Sequence, residues 1–145
     1  MKNLFLFLLV TSLTITSCSS DKSSDNSNVV KAKINGVSKT FTTIAVTEQE
    51  YTDGGFTYTD VTVTAALSSE PTKLIQFVAE KGITGTDASW FFIYNDNDTF
   101  YEKTPTFTTT VTESSNTKLK GTFAGSMSDG IQTIVVTDGS FNITY

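Results

Sequence analysis

Lys118-Leu119-Lys120-Gly121-Thr122-Phe123-Ala124 and, beyond two turn signals, Phe141-Asn142-Ile143-Thr144-Tyr145 carry the pattern that decides the fold. Leu119, Gly121 and Phe123 fall on one face and Lys118, Lys120 and Thr122 on the other; Phe141, Ile143 and Tyr145 oppose Asn142 and Thr144 in the same way. Side chains alternate across a strand with period two, so each segment offers one face to a core and one to water, as antiparallel sheets do.

Working back toward the start, the same period recurs in short segments divided by turn chemistry. Asn35-Gly36 separates Val29 to Ile34 from Val37 to Glu48, and this dipeptide suits the positive φ angles of a tight hairpin. Asp53-Gly54-Gly55 precedes Phe56 to Leu67, and Ser68 to Thr72, with Pro71, closes that segment. Lys73 to Glu80, Ser89 to Tyr94, Thr99 to Lys103, Phe107 to Glu113, Thr117 to Ala124, Ile131 to Val136 and Ser140 to Tyr145 follow as further strands. The unbroken run Trp90-Phe91-Phe92-Ile93-Tyr94 calls for apolar surroundings on both faces, with Trp90 in packing contact. No window shows a sustained helical period. The expected fold is therefore all-β, an antiparallel two-sheet sandwich of about nine or ten short strands, with an up-and-down β-barrel as the alternative.

Size and charge bound the partners. A body of about 120 residues buries roughly two-thirds of its surface and needs no disulfide or metal to hold it. The net charge is −5, and Lys2 is the only charged residue of the first seventeen, so a chain cleaved there would be more acidic still. An acidic chain without a basic cluster does not suit nucleic acid or an anionic lipid surface.

The beginning of the chain reads as three parts: residues 1–17 as a secretory leader, 18–28 as a tether, and 29–145 as a single β domain. Lys2 supplies a basic start, and the apolar run from Leu4 to Val10 continues through Leu13 and Ile15. That run is interrupted by Thr11, Ser12, Thr14 and Thr16, and is shorter than the roughly 20 apolar residues a spanning helix needs. Ile15-Thr16-Ser17-Cys18 resembles the lipobox of bacterial lipoproteins. The resemblance implies that the Cys18 thiol is joined to a diacylglycerol, that the leader is cut before Cys18, and that the membrane is reached through this anchor. Cys18 is the only cysteine. Ser19 to Asn28 carry no apolar side chain, so they cannot offset their ordering entropy and are expected to form a flexible tether.

Lys120-Gly121-Thr122-Phe123-Ala124-Gly125, Asp129-Gly130 and Thr137-Asp138-Gly139-Ser140-Phe141-Asn142-Ile143-Thr144-Tyr145 resemble the close of many small, uncharacterised Bacteroidota lipoproteins. Those also begin with a lipobox, a polar tether and a strand running into a motif like Ile34-Asn35-Gly36. The resemblance implies an outer-membrane lipoprotein of the cell envelope, leaves the membrane face open, and brings no catalytic or binding residues.

Catalysis is narrowed by elimination. The chain has no histidine, which excludes Ser-His and Cys-His nucleophiles and removes a favoured ligand of zinc. A paired-carboxylate hydrolase would need two acids at a set separation, which sequence alone cannot place. No enzyme activity and no cofactor are expected.

Two clusters remain as binding candidates. Asn95-Asp96-Asn97-Asp98 presents four oxygen-bearing side chains, with Asp96 and Asp98 as calcium candidates; the same residues suit a plain turn, and the EF-hand template fails beyond them. Tyr51, Phe56 and Tyr58 flank a turn and offer an aromatic platform for a glycan, or else cross-strand packing within a hairpin. The expected function is a lipid-anchored envelope lipoprotein acting as a binding or interaction module toward an envelope protein or a glycan. The alternative is a structural envelope component without a ligand.

Overall fold

The computed structural model describes residues 28–145; the leader, Cys18 and the tether as far as Ser27 lie outside the described residues. The fold is all-β, a single antiparallel sheet curled into a half-barrel. Its strands are β1 (Val29–Ile34), β2 (Val37–Phe41), β3 (Thr43–Asp53), β4 (Phe56–Ala66), β5 (Lys73–Glu80), β6 (Gly85–Thr86), β7 (Ser89–Asp96), β8 (Thr99–Lys103), β9 (Thr108–Ser114), β10 (Lys118–Ser128) and β11 (Thr133–Thr144). The turns follow from sequence: Asn35-Gly36, Gly54-Gly55 and Asn97-Asp98 each take positive φ at both positions, the geometry of type I′ two-residue hairpins.

The main path of the sheet runs β2-β1-β11-β10-β8-β7-β5-β4-β3, with β9 beside β10 and β6 beside β9. The expected two-sheet sandwich is thus replaced by one continuous sheet of eleven strands, and the reason lies in β10. Along most of its length β10 pairs with β9, but at its end Met127 and Ser128 pair with Lys103 and Glu102 of β8. Those two residue pairs join what would otherwise be separate sheets. The edge strands β2 and β3 are consecutive in the chain with only Thr42 between them, so the two edges of the roll meet at that corner.

Curling lets the inner face pack on itself. Phe77 of β5 and Phe141 of β11 lie four ladder steps apart, roughly 19 Å in a flat sheet, yet their ring centroids are 4.8 Å apart. Phe92 sits at the centre, 4.7 Å from Phe123, 4.8 Å from Phe107 and 5.5 Å from Phe77. Val30, Val61, Val63, Ile75, Leu119 and Ile143 complete a core that period-two alternation directs inward. Glycine on the packed face has a steric reason: a Cβ at Gly121 would press into the Thr110 carbonyl and the Phe141 ring, and one at Gly139 into Phe123.

Some strand limits differ from the sequence expectation. Ile131 to Val136 and Ser140 to Tyr145 are not two strands; β11 runs continuously through Thr137-Asp138-Gly139, with an irregularity in its pairing to both neighbours. Asp138 takes a φ of 52°, so the residues that look like a turn absorb a bulge that bends the strand without ending it. The short β6 carries no periodic signal in its two residues.

Phe92→Ala should cost about 3–5 kcal/mol by leaving a cavity among three aromatic neighbours, read as a lower denaturant midpoint. Ile131→Ala, at a position 93% exposed, should stay within about 0.5 kcal/mol of wild type in the same measurement.

Candidate functional site

The structure places the Asp96 and Asp98 candidates at a turn. Asn97 and Asp98 are the two central residues of the β7–β8 hairpin, and Asp96 pairs with Thr99 across it. The Asp96 carboxylate accepts from the Tyr94 hydroxyl at 3.3 Å and from Asn97 Nδ2 at 3.2 Å, and Lys73 Nζ lies 3.5 Å away. Lys73 also meets Glu70 at 2.6 Å, a hydrogen bond that raises its ammonium above the ordinary amine value. Burial, reinforced by Asp96, pushes the Tyr94 hydroxyl far above the usual phenol value. A cation at Asp96 would have to displace an ammonium and break this set of contacts. No group of three or more acids or other metal-binding side chains gathers among the described residues.

Tyr51, Phe56 and Tyr58 are brought together. Tyr51 and Tyr58 are direct cross-strand partners, with ring centroids 5.5 Å apart and planes 24° from parallel. Phe56 lies two residues from Tyr58 on the same face and is 80% exposed. These residues sit on a projecting arm. β5 pairs with β4 only from Asp60 onward, so Gln49 to Thr59 have no strand neighbours except one another. The arm is fixed at its stem by the Glu48–Lys81 ion pair at 2.8 Å and by the Lys81 N–H donating to the Thr59 carbonyl. A two-stranded ribbon is marginal by itself, and the stacked tyrosines contribute a few tenths to about 1 kcal/mol to it.

The outer face of the sheet continues this surface. Val61, Val63 and Ala65 of β4 point into the core, which leaves Asp60 on the same outer face as Tyr58. Period two would put Trp90 beside Phe92 and Tyr94 on the inner face. Trp90 is instead 57% exposed, which corrects the expectation of a packed indole. The cause is a bulge: the β5–β7 register shifts between Val78 and Ala79, and the extra residue opposite them swings Trp90 outward. Its Nε1 donates to Asp60 Oδ1 at 3.5 Å, and its ring lies 6.0 Å from Phe91. The indole therefore reaches back across β5 toward the arm. On its other side Trp90, Phe91, Ile93, Glu102 and Lys103 line a shallow groove of about 270 Å³.

Carboxylates alternate with these rings. Asp53 faces Phe56, Asp60 faces Glu80 across the β4–β5 ladder, and Glu102 edges the groove. Asp60 and Glu80 are the two acids that face each other across this ladder, but Asp60 is only 8% exposed and neither acid lines the groove. Lys103 is the basic side chain on that groove, with its ammonium donating to the Ser89 carbonyl at 3.4 Å.

Comparison with protein-family models, with curated proteins and with solved structures finds no match to this chain. Cys18, the anchoring candidate, lies outside the described residues.

Calcium at millimolar concentration should give no heat of binding and no change in melting temperature, because Asp96 is held by Lys73, Tyr94 and Asn97; a saturable heat would restore the ion site. Trp90, the chain's single tryptophan, should show the emission of a solvated indole and be readily quenched by acrylamide. Blue-shifted, quencher-resistant emission would place it in a packed setting.

Proposed function

We propose that this chain is a lipid-anchored envelope lipoprotein whose β domain is a binding module without catalytic activity. The outer face from the β3–β4 arm to Trp90 is its recognition surface. The observation that carries the binding role is the exposure of Phe56 and Trp90 beside the stacked tyrosines. Aromatic side chains are large apolar bodies, and an exposed cluster of them with a polar rim marks an interaction surface more often than a solvated one.

The lipobox-like Ile15-Thr16-Ser17-Cys18 supports the anchor, and the position of the domain's first residues supports the orientation. Val30 pairs with Phe41, one residue short of the corner at Thr42, so the tether enters the domain near the start of β3. Tyr51 lies eight residues further along β3 than Thr43, about 26 Å at the rise of an extended strand. A chain held by its tether would thus carry the aromatic arm well away from its point of attachment. Two or more acyl chains bind a bilayer firmly, at about 0.8 kcal/mol per buried methylene, so anchoring asks nothing of the acidic fold.

Cys18→Ala should abolish palmitate labelling and release the protein from the membrane fraction; a variant that still sediments with membranes would end the anchor reading. In intact cells, a photoreactive residue replacing Phe56 should give a discrete adduct, whereas one replacing Ile131 should not. Equal labelling at the two positions would favour a structural component without a ligand.

A further inference from the structure

We infer that the recognition surface takes an uncharged, polyhydroxylated sugar chain, laid from the tip of the arm across Trp90 into the adjoining groove. This names the ligand class for the surface proposed above and rests on that reading. Three features of the surface select this class. Its aromatic side chains are set at intervals: Phe56, the Tyr51–Tyr58 stack and Trp90 follow one another along the outer face, with Asp60 between Tyr58 and Trp90. The apolar face of a pyranose ring packs on an aromatic ring, and an elongated ligand meets several such rings in turn.

The spaces between the rings hold hydrogen-bonding groups. Asp53, Gln49 and Glu80 occupy neighbouring outward positions on β3 and β5, Asp60 beside them on β4 is only 8% exposed and accepts from Trp90, and Glu102 borders the groove. A protein-docking patch is depleted of charge at its centre, because burying unpaired carboxylates costs free energy. Sugar hydroxyls donate to those same carboxylates, so the acids that count against a protein partner are satisfied by a glycan.

Charge then sets the kind of glycan. Glu102 and Lys103 offset one another at the groove, while Asp53 and Glu80 add negative charge along the rest of the face, on a chain of net charge −5. Uronic acid or sulfated polymers would meet like charge, as would a second copy of this face, and like-charge juxtaposition is costly at an interface. Neutral chains meet no such barrier.

The test uses the full chain purified in a detergent without a sugar headgroup, run through native gels containing mixed-linkage glucan, galactomannan, polygalacturonate or chondroitin sulfate, with Trp90 emission followed in parallel titrations. At least one neutral polymer should retard the protein and shift or quench Trp90 emission, while the two anionic polymers do neither. Phe56→Ala and Trp90→Ala should each weaken retardation at least tenfold, with Ile131→Ala unchanged. The inference falls if neither neutral polymer retards the protein, if an anionic polymer binds more tightly, or if Ile131→Ala loses as much as Phe56→Ala. Absent polysaccharide binding alongside intact palmitate labelling and a discrete adduct at position 56 would remove the sugar and leave the anchored binding module standing. Polysaccharide binding without palmitate labelling would do the reverse.

Discussion

Contact between rings from opposite sides of the roll is the interaction on which the rest of this structure depends. Phe77 and Phe141 meet only because the sheet curls, and Phe92 ties both to Phe107 and Phe123. A flat sheet of these strands would leave one whole apolar face in water, and burying it is worth about 25 cal/mol per Å². Offset and tilted ring pairs add roughly 0.5–1.5 kcal/mol each beyond area burial. The glycines at 121 and 139 belong to the same requirement, since a side chain at either would hold the rings and the neighbouring strand apart.

Curling also explains the division of labour between the two faces. The concave face holds the core and carries stability. The convex face is relieved of that task, and there the bulge at Val78–Ala79 and the overhang of the β3–β4 hairpin present aromatics to solvent. Both departures occur where pairing becomes irregular or ends. Trp90 stands on the extra residue of a bulge, and Tyr51, Phe56 and Tyr58 stand where β4 has run beyond β5. Neither position contributes to the core: the tyrosines pack on each other across the arm and Trp90 on Phe91, while Phe56 is left 80% exposed.

Electrostatics separates the two clusters that the sequence presents as binding candidates. At the β7–β8 turn the acid already has several partners: Asp96 takes a lysine, a phenol and an amide. On the convex face Asp60 is buried and takes one long hydrogen bond from Trp90, whereas Asp53 and Glu102 are exposed and Glu80 is half-buried. A surface of rings with solvent-facing carboxylates between them is open to hydroxyl donors in a way that the turn is not.

Local pattern by itself determined most of the architecture of this protein. Alternation in Leu119-Gly121-Phe123 and Phe141-Ile143 placed those residues inward, and Asn35-Gly36 and Gly54-Gly55 sit at the hairpins their φ preferences require. The four-residue Asn-Asp run also carried its own turn signal, and Tyr51, Phe56 and Tyr58 could be grouped because a hairpin brings close neighbours in sequence together. Tertiary structure alone decided three things: that two prospective sheets are one, that Thr137-Asp138-Gly139 continues a strand, and that Trp90 faces outward. Each depends on which strand lies alongside. Residue period is a property of one segment, whereas the β8–β10 pairs and the bulges at β11 and β7 arise from pairing between segments distant in the chain, where a single inserted residue reverses the face that a side chain takes.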